Sequence, residues 1–291
     1  MKKLLFLFYS FLSIVMCNVV LAQNFSGSWS GILMIAGEDP KNAEVIYLSI
    51  EENDKVISGL SRIELSSDLM EFAAKSFSGT RKENTIILAE ELVRRSSKTR
   101  KSPECKLNYT LEYDPETEYL KGNVVSSDCR NYFGEVVLFR SNHVVNLEKE
   151  PTSTHSWKHF FVRNYLKGYP APQVLKREQE QFVFQPIYFD HDQSEVKPEY
   201  HEYLNRMARV VDGIHDLRIK IIGHTDADGT DGYNMGLSKR RADAIRAYFK
   251  KQGIHEEKLV IDFKGKREPV SDNLSREGKQ RNRRVVFEFA Y

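Results

Sequence analysis

The sequence predicts a multidomain chain: an N-terminal all-β domain of about eight strands, closed as a barrel or a sandwich, followed by a C-terminal α/β sandwich. Three observations predict it. From Phe25 to Asn142 apolar residues alternate in short runs separated by turn residues, the pattern of half-buried strands. From residue 181 onward strands alternate instead with amphipathic helices. Between the two, residues 143–180 read as a linker, with Glu150-Pro151-Thr152-Ser153-Thr154 flexible in composition.

The chain opens with Met1-Lys2-Lys3, an apolar run from Leu4 to Val15, and Val20-Leu21-Ala22 at the positions that matter for cleavage. This is the pattern of a secretory signal peptide over residues 1–22, cut after Ala22. Cys17 offers a lipoprotein alternative, against which Met16 is a poor residue ahead of a lipidated cysteine. No other stretch holds the roughly 18 consecutive apolar residues of a membrane-spanning helix. The mature chain is therefore expected to be exported and without such a helix.

In the β-rich domain, 23–142, strands are expected at 28–35, 44–51, 55–63, 70–78, 84–92, 105–113, 117–125 and 134–140. Leu107, Tyr109 and Leu111 alternate with Lys106, Asn108 and Thr110, which is the period of a strand with one buried face. Asn53-Asp54, Lys82-Glu83-Asn84 and Asp114-Pro115-Glu116 mark turns. Gly27-Ser28-Trp29 resembles, over three residues, the G-x-W start of lipocalin-like barrels. Cleavage of the signal peptide leaves Cys105 and Cys129, an even count in an oxidising compartment. A hairpin turning near Pro115-Glu116 brings them close, so a disulfide is expected.

In the linker, Ser156 to Leu166 carries Trp157, Phe160, Phe161 and Tyr165, which suit one short helix docking on a domain and ended by Gly168 and the Pro170/Pro172 pair. The last domain, 181–291, is expected to begin with a strand at 182–189. Pro198 then opens a helix with Tyr200, Leu204, Met207 and Val211 on one face. A strand at 217–224 leads to a helix capped by Asn234 and ended by Gly253. Strands at 259–265 and 284–291 complete the domain, the last with Val285, Phe287, Phe289 and Tyr291 on one side.

The chemistry concentrates in 221–242, IIGHTDADGTDGYNMGLSKRRA. Arg241 lies on the apolar stripe of its helix, four residues after Leu237 and four before Ile245. A guanidinium facing a sheet needs a carboxylate or a ligand, and Asp226, where the preceding strand ends, can deliver that carboxylate. A structural Asp226–Arg241 pair and a ligand site are both open at this point.

The run His224-Thr225-Asp226, Gly229, Tyr233-Asn234, Leu237-Ser238, Arg241-Ala242 resembles the signature of the OmpA-like, peptidoglycan-associating domain. That domain occurs in OmpA C-terminal halves, peptidoglycan-associated lipoproteins and flagellar stator proteins. Tyr188-Phe189-Asp190 upstream and Gly265, Pro269, Asn273, Gly278 and Asn282-Arg283-Arg284-Val285 downstream agree with it. The resemblance covers 182–291, and it departs at Phe263, where a Gly is usual, and at Lys279, where Arg is common. It implies a β-α-β-α-β-β core with a mixed sheet. It also implies that Asp226 and Arg241 grip the diaminopimelate of the peptidoglycan stem, whose far end carries an ammonium and a carboxylate on one carbon. By the same resemblance Asn234 adds a neutral hydrogen bond and holds the loop. Backbone around Asp190 and His191 lines the other wall, and Thr225 and Leu237 belong to the same site.

Other chemistries fit less well. The formal net charge of +2 argues against nucleic-acid binding through bulk positive potential, and the basic run from Arg94-Arg95 to Lys101 reads as a solvated loop. Asp190-His191-Asp192 with His224 and Asp226 has metal-ligand residue types but no metalloenzyme spacing. Ser238, His224 and Asp226 lack the nucleophile elbow of a hydrolase, and the glycine-rich loop lacks the P-loop lysine. No enzyme activity, cofactor or metal is expected, and a stator role would need a mature membrane helix. The β domain is expected to be soluble, since its strands look shorter than those of a membrane barrel such as OmpA's and its aromatics are scattered. The expected function is non-covalent peptidoglycan binding that tethers the outer envelope to the wall of a Gram-negative-type bacterium, from the periplasm, with possible envelope protein partners on the β domain. The alternative is a periplasmic carrier of small hydrophobic ligands built on the β domain, with wall binding only as a tether.

Overall fold

A computed structural model describes residues 24–65, 71–97, 104–142, 146 and 155–291. The expected signal peptide, Cys17 and the run Glu150 to Thr154 lie outside the described residues, as does part of the basic run ending at Lys101.

Eight strands are described in the N-terminal domain: β1 (Gly27–Ile35), β2 (Glu44–Asn53), β3 (Val56–Glu64), β4 (Phe72–Lys82), β5 (Thr85–Ser96), β6 (Leu107–Tyr113), β7 (Tyr119–Ser126) and β8 (Phe133–Arg140). Each pairs antiparallel with its sequence neighbours, and β1 closes on β8 through pairs such as Ser30 with Phe139. The result is an up-and-down barrel, one of the two closures expected. The turns carry left-handed residues where expected, at Asp54 (φ 58°) and Glu83 (φ 56°).

The barrel is apolar inside. Leu107, Tyr109 and Leu111 are buried on β6 while Asn108, Thr110 and Glu112 are exposed. Trp29, Leu48, Ile57, Phe77 and Leu88 join them in one packed cluster. On β6 the outward side is polar, unlike the apolar lipid-facing side of a membrane-crossing barrel. Among the described residues a buried ion pair, Lys75 and Glu90, sits inside. Glu90 accepts from Lys75 Nζ (2.7 Å), Ser61 Oγ (2.6 Å) and Tyr109 OH (2.7 Å). It also accepts from the backbone N–H of Leu107 (2.9 Å), beyond the end of the β5–β6 ladder at Ala89 and Asn108.

Cys105 and Cys129 form a disulfide, 24 residues apart in sequence. In the chain-entropy account a loop of that length contributes about 3 kcal/mol. Reduction is expected to lower the barrel's unfolding free energy by about that amount, read from urea melts with and without reductant. Thiol titration of the unfolded, unreduced protein is expected to find no free thiol.

The linker differs from the expectation. It holds two helices, α1 (Ser156–Leu166) and α2 (Pro172–Glu180). Pro172 does not end a helix but opens one, because a proline at the first helical position gives up no hydrogen bond there. Both helices bind both domains. On the barrel side, Phe161, Val162 and Val174 pack on Ile32, Tyr119 and Val137, outward residues of the barrel that would otherwise face water. On the other side Asp212, 1% exposed, accepts from Lys167 Nζ (2.7 Å) and Tyr169 OH (3.0 Å). Asn164 Nδ2 donates to the Gly213 carbonyl (2.9 Å). Leu175 approaches Gly213 so closely that a Cβ there would lie 2.7 Å from its Cδ1.

The C-terminal domain contains β9 (Ile187–Tyr188), α3 (His201–Gly213), β10 (Arg218–His224), α4 (Asp231–Lys251), β11 (Leu259–Gly265), α5 (Arg276–Asn282) and β12 (Arg284–Ala290). The sheet order is β11-β10-β12-β9, with β10 parallel to β11 and antiparallel to β12, hence mixed. The expected strand 182–189 shrinks to Ile187–Tyr188. Pro186 has no N–H for a ladder, and Phe182 and Phe184 instead pack their rings on Phe289 at 5.6 and 4.7 Å between centroids. The Pro198 turn is 3-10, and α3 starts only at His201. Tyr291 falls past β12 and is 77% exposed.

Candidate functional site

The site forms where β10 ends and α4 begins. Gly223 lets α4 lie on β10, since a Cβ there would meet the Ser238 carbonyl oxygen at 2.0 Å. Ser238 Oγ in turn accepts from the Gly265 N–H (3.0 Å), and Thr225 N donates to the Gly265 carbonyl (2.9 Å). The strand is thereby pinned just before Asp226. Gly229 turns the loop with φ +88°. Thr230 caps α4 by accepting from Tyr233 N (3.3 Å). Asn234, expected as the cap, lies inside the first turn and instead donates from Nδ2 to the Asp228 carbonyl (2.8 Å), which holds the loop.

The expected Asp226–Arg241 pair does not form. Arg241 is fully buried and its guanidinium is occupied by three backbone carbonyls: Nε donates to Gln193 (2.8 Å), Nη1 to His224 (2.9 Å) and Nη2 to Asp190 (3.1 Å). Its carbon lies 5.3 Å from the centre of the Phe189 ring. Burial pushes this guanidinium down to about 10, against the pull of nearby Asp226, so it stays charged at neutral pH. Arg241 is a clamp that draws the Asp190 loop onto β10 and α4.

Asp226 pairs with Arg283, whose Nη1 donates to Oδ2 at 2.8 Å. Arg283 is itself oriented: its Nε donates to the Phe189 carbonyl (3.2 Å) and its Nη2 to Gln280 Oε1. Gln280 Nε2 donates to the same carbonyl (3.1 Å). The other oxygen of Asp226 accepts from Asp228 N (3.2 Å). Lys279 holds Asp228 at 2.8 Å, and this bond lowers the Asp228 carboxyl below its usual range. The lysine at this departure from the family pattern therefore takes part in the rim.

These groups enclose a pocket of about 170 Å³ lined by His191, Asp192, Asp226, Asp228, Gly229, Tyr233, Asn234, Leu237 and Arg283. It is smaller than the roughly 300 Å³ at which drug-sized sites begin, so it suits the end of a side chain. Three carboxylates and one guanidinium line it, which favours an ammonium with an acidic group beside it. Of the expected residues, Asp226, Asn234, His191 and Leu237 line the pocket. Arg241, Thr225 and Asp190 stand behind its walls. Asp190 contributes its carbonyl to Arg241, and its side chain faces out to Lys197 Nζ at 2.9 Å. Arg283, Asp192 and Asp228 were missed. His191, Asp226 and Asp228 offer donor atoms within 4.8 Å of one another. Arg283 is bonded to the first of these two carboxylates and Lys279 to the second.

His224 is 2% exposed, and burial first, then the Arg284 and Lys264 cations, push its imidazole from 6.5 down to about 4, against Asp262. The folded ring is neutral, while the unfolded ring protonates near its ordinary value. Stability is therefore complete above pH 6.5 and is lost as pH falls from there towards 4, by on the order of 3 kcal/mol. His224→Gln is expected to flatten that part of the stability–pH curve, measured by urea melts from pH 7 to 4.5.

The C-terminal domain is OmpA-like: residues 188–283 match the OmpA family. Over 128 residues the chain is 39% identical to outer membrane protein A of Bordetella avium, across 44% of this chain and 63% of that protein. Over 99 residues it is 38% identical to the peptidoglycan-associated lipoprotein of Pseudomonas aeruginosa, across 34% of this chain and 58% of the lipoprotein. The crystal structure of the peptidoglycan-associated lipoprotein from Burkholderia pseudomallei aligns with 36% of this chain and 90% of that one, at 28% identity and a TM-score of 0.36. The chain thus spans less than two-thirds of the length of these two curated relatives.

Proposed function

We propose that this domain binds peptidoglycan non-covalently through the diaminopimelate end of the stem peptide, and so tethers the outer envelope to the wall. The observation that carries the reading is the small acidic pocket in which Asp226 and Arg283 stand 2.8 Å apart. An ammonium and a carboxylate on one carbon are complementary to that pair. The ammonium meets Asp226 and Asn234's loop, and the carboxylate turns to Arg283 and the backbone beside His191. Arg241, with Asp190 and Thr225, fixes the walls from behind. The similarity to a protein named for peptidoglycan association supports the same choice. The role is binding rather than catalysis, in the periplasm at the outer membrane, with further envelope partners reached through the barrel.

Charge-assisted hydrogen bonds contribute about 1.5–3 kcal/mol each. A few of them, less the cost of association, give roughly micromolar to millimolar affinity per stem. A polymeric wall converts that into firm retention, because each release is followed by rebinding. The carrier reading draws no support from the barrel interior, where inward side chains pack on one another. The test is co-sedimentation of the purified mature protein with isolated sacculi, with and without free diaminopimelate as competitor. Retention that the competitor does not reduce would place binding elsewhere on the molecule.

A further inference from the structure

A second pocket, of about 530 Å³, lies between the barrel and the C-terminal domain, remote from the wall-binding chemistry. Its size is in the range of sites for small molecules. Tyr119 and Phe139 of the barrel, Trp157, Phe160 and Phe161 of α1, and Ile214 after α3 form its walls. The rings meet edge to face, with Tyr119–Phe161 centroids 5.9 Å apart, Trp157–Phe161 5.7 Å and Phe139–Trp157 5.8 Å. Such rings make smooth apolar walls.

The polar groups are few. Asn164 is occupied with the Gly213 carbonyl, and Gln179 donates to Tyr291 OH (2.8 Å). Among the described residues of the lining, the side chains that can carry charge near neutral pH are Lys176 and His215, and none is an Asp or Glu. Phe160, His215 and Tyr291 are shared with a neighbouring pocket of about 500 Å³ whose charged lining is Arg163, Arg218, Lys258, Asp216 and Glu257. Asp216 is taken up by His215 Nδ1 at 2.5 Å. The apolar slot therefore has one lysine, Lys176, in its lining, while Arg163 and Lys258 lie behind Phe160, at 4.5 and 5.9 Å from its ring centre.

We propose that this interdomain slot binds a long-chain fatty acid, with the hydrocarbon among the aromatic rings and the carboxylate at Lys176. Chain burial supplies the attraction, and Lys176 sets the polarity of the head group. The site is distinct from the barrel interior and does not depend on wall binding.

Bromine quenching tests it, because of the chain's two tryptophans Trp157 lines the slot while Trp29 is buried in the barrel core. The delipidated mature protein is titrated with bromine-substituted palmitate below its micelle concentration. Saturable quenching of part of the emission is expected, and Trp157→Phe is expected to remove it. Lys176→Glu, at an exposed position, is expected to weaken palmitate about fivefold and to leave the matching fatty alcohol unaffected. Ile214→Trp is expected to block both ligands, with an unchanged circular dichroism spectrum and melt showing that the fold is intact. Absence of saturable quenching overturns the proposal, as does quenching that survives Trp157→Phe. Equal binding of acid and alcohol, indifferent to Lys176→Glu, overturns the fatty-acid assignment.

Discussion

Arg241→Leu is expected to destabilise the C-terminal domain by about 3–5 kcal/mol, from two or three orphaned carbonyls, and to abolish sacculus binding as a consequence. Leucine fits the apolar stripe of α4, so a reading of the helix alone would call the change harmless. The three carbonyls now served by Arg241 would be left buried, at roughly 1–3 kcal/mol for each one that finds no other donor. The Gln193, His224 and Asp190 carbonyls belong to two separate segments, which Arg241 joins alongside Arg283. Arg241→Lys is expected to rescue only part of the loss, since a single ammonium lacks the planar fork that reaches all three. Urea melts of the two variants measure the effect. An Arg241→Leu variant with wild-type stability and no binding would mean that Arg241 touches the ligand directly, against the geometry described above.

Asp226→Asn is expected to act the other way round, with the fold kept and binding lost. The amide oxygen still accepts from Arg283, so a cooperative melt is expected, lowered by about 1–2 kcal/mol for the weaker bond. The charge that attracts an ammonium is gone. Loss of one or two charge-assisted contacts corresponds to roughly a 10–100-fold weaker affinity per stem, and co-sedimentation magnifies the difference because retention depends on repeated rebinding. Unchanged retention of this variant would remove Asp226 from the site.

Much of the fold was legible because the barrel strands carry strict alternation and their turns use residues suited to turns. Leu107, Tyr109 and Leu111 state which face of β6 is inside. Closure was less legible, because it rests on β1 pairing with β8, a contact between distant segments that no local pattern encodes. The strand expected at 182–189 shortens to Ile187–Tyr188, and Pro186, which has no N–H for a ladder, carried that information. The second linker helix was hidden by the double meaning of proline, which ends one helix and starts another.

The site was half legible. Charge in an apolar setting singles out Asp226 and Arg241, but which arginine meets the carboxylate is a tertiary choice. Arg241 and Arg283 are both buried cations near one strand end. The distinction lies in the Asp190 loop, whose carbonyls happen to occupy Arg241 and leave Arg283 to Asp226. A run of two arginines directly before an apolar strand, Arg283-Arg284, was the signal available, since at least one of them had to find a partner inside.

The proposed recognition of an ammonium and a carboxylate together is tested most directly by comparing wild-type binding to two walls that differ at that point, diaminopimelate-type and lysine-type sacculi, at equal mass and ionic strength. The lysine side chain ends in an ammonium alone, which in the proposed binding mode would satisfy Asp226 and offer Arg283 no ligand carboxylate. Retention on diaminopimelate-type sacculi and at least about tenfold weaker retention on lysine-type sacculi is the predicted result, and equal binding to both walls would contradict it.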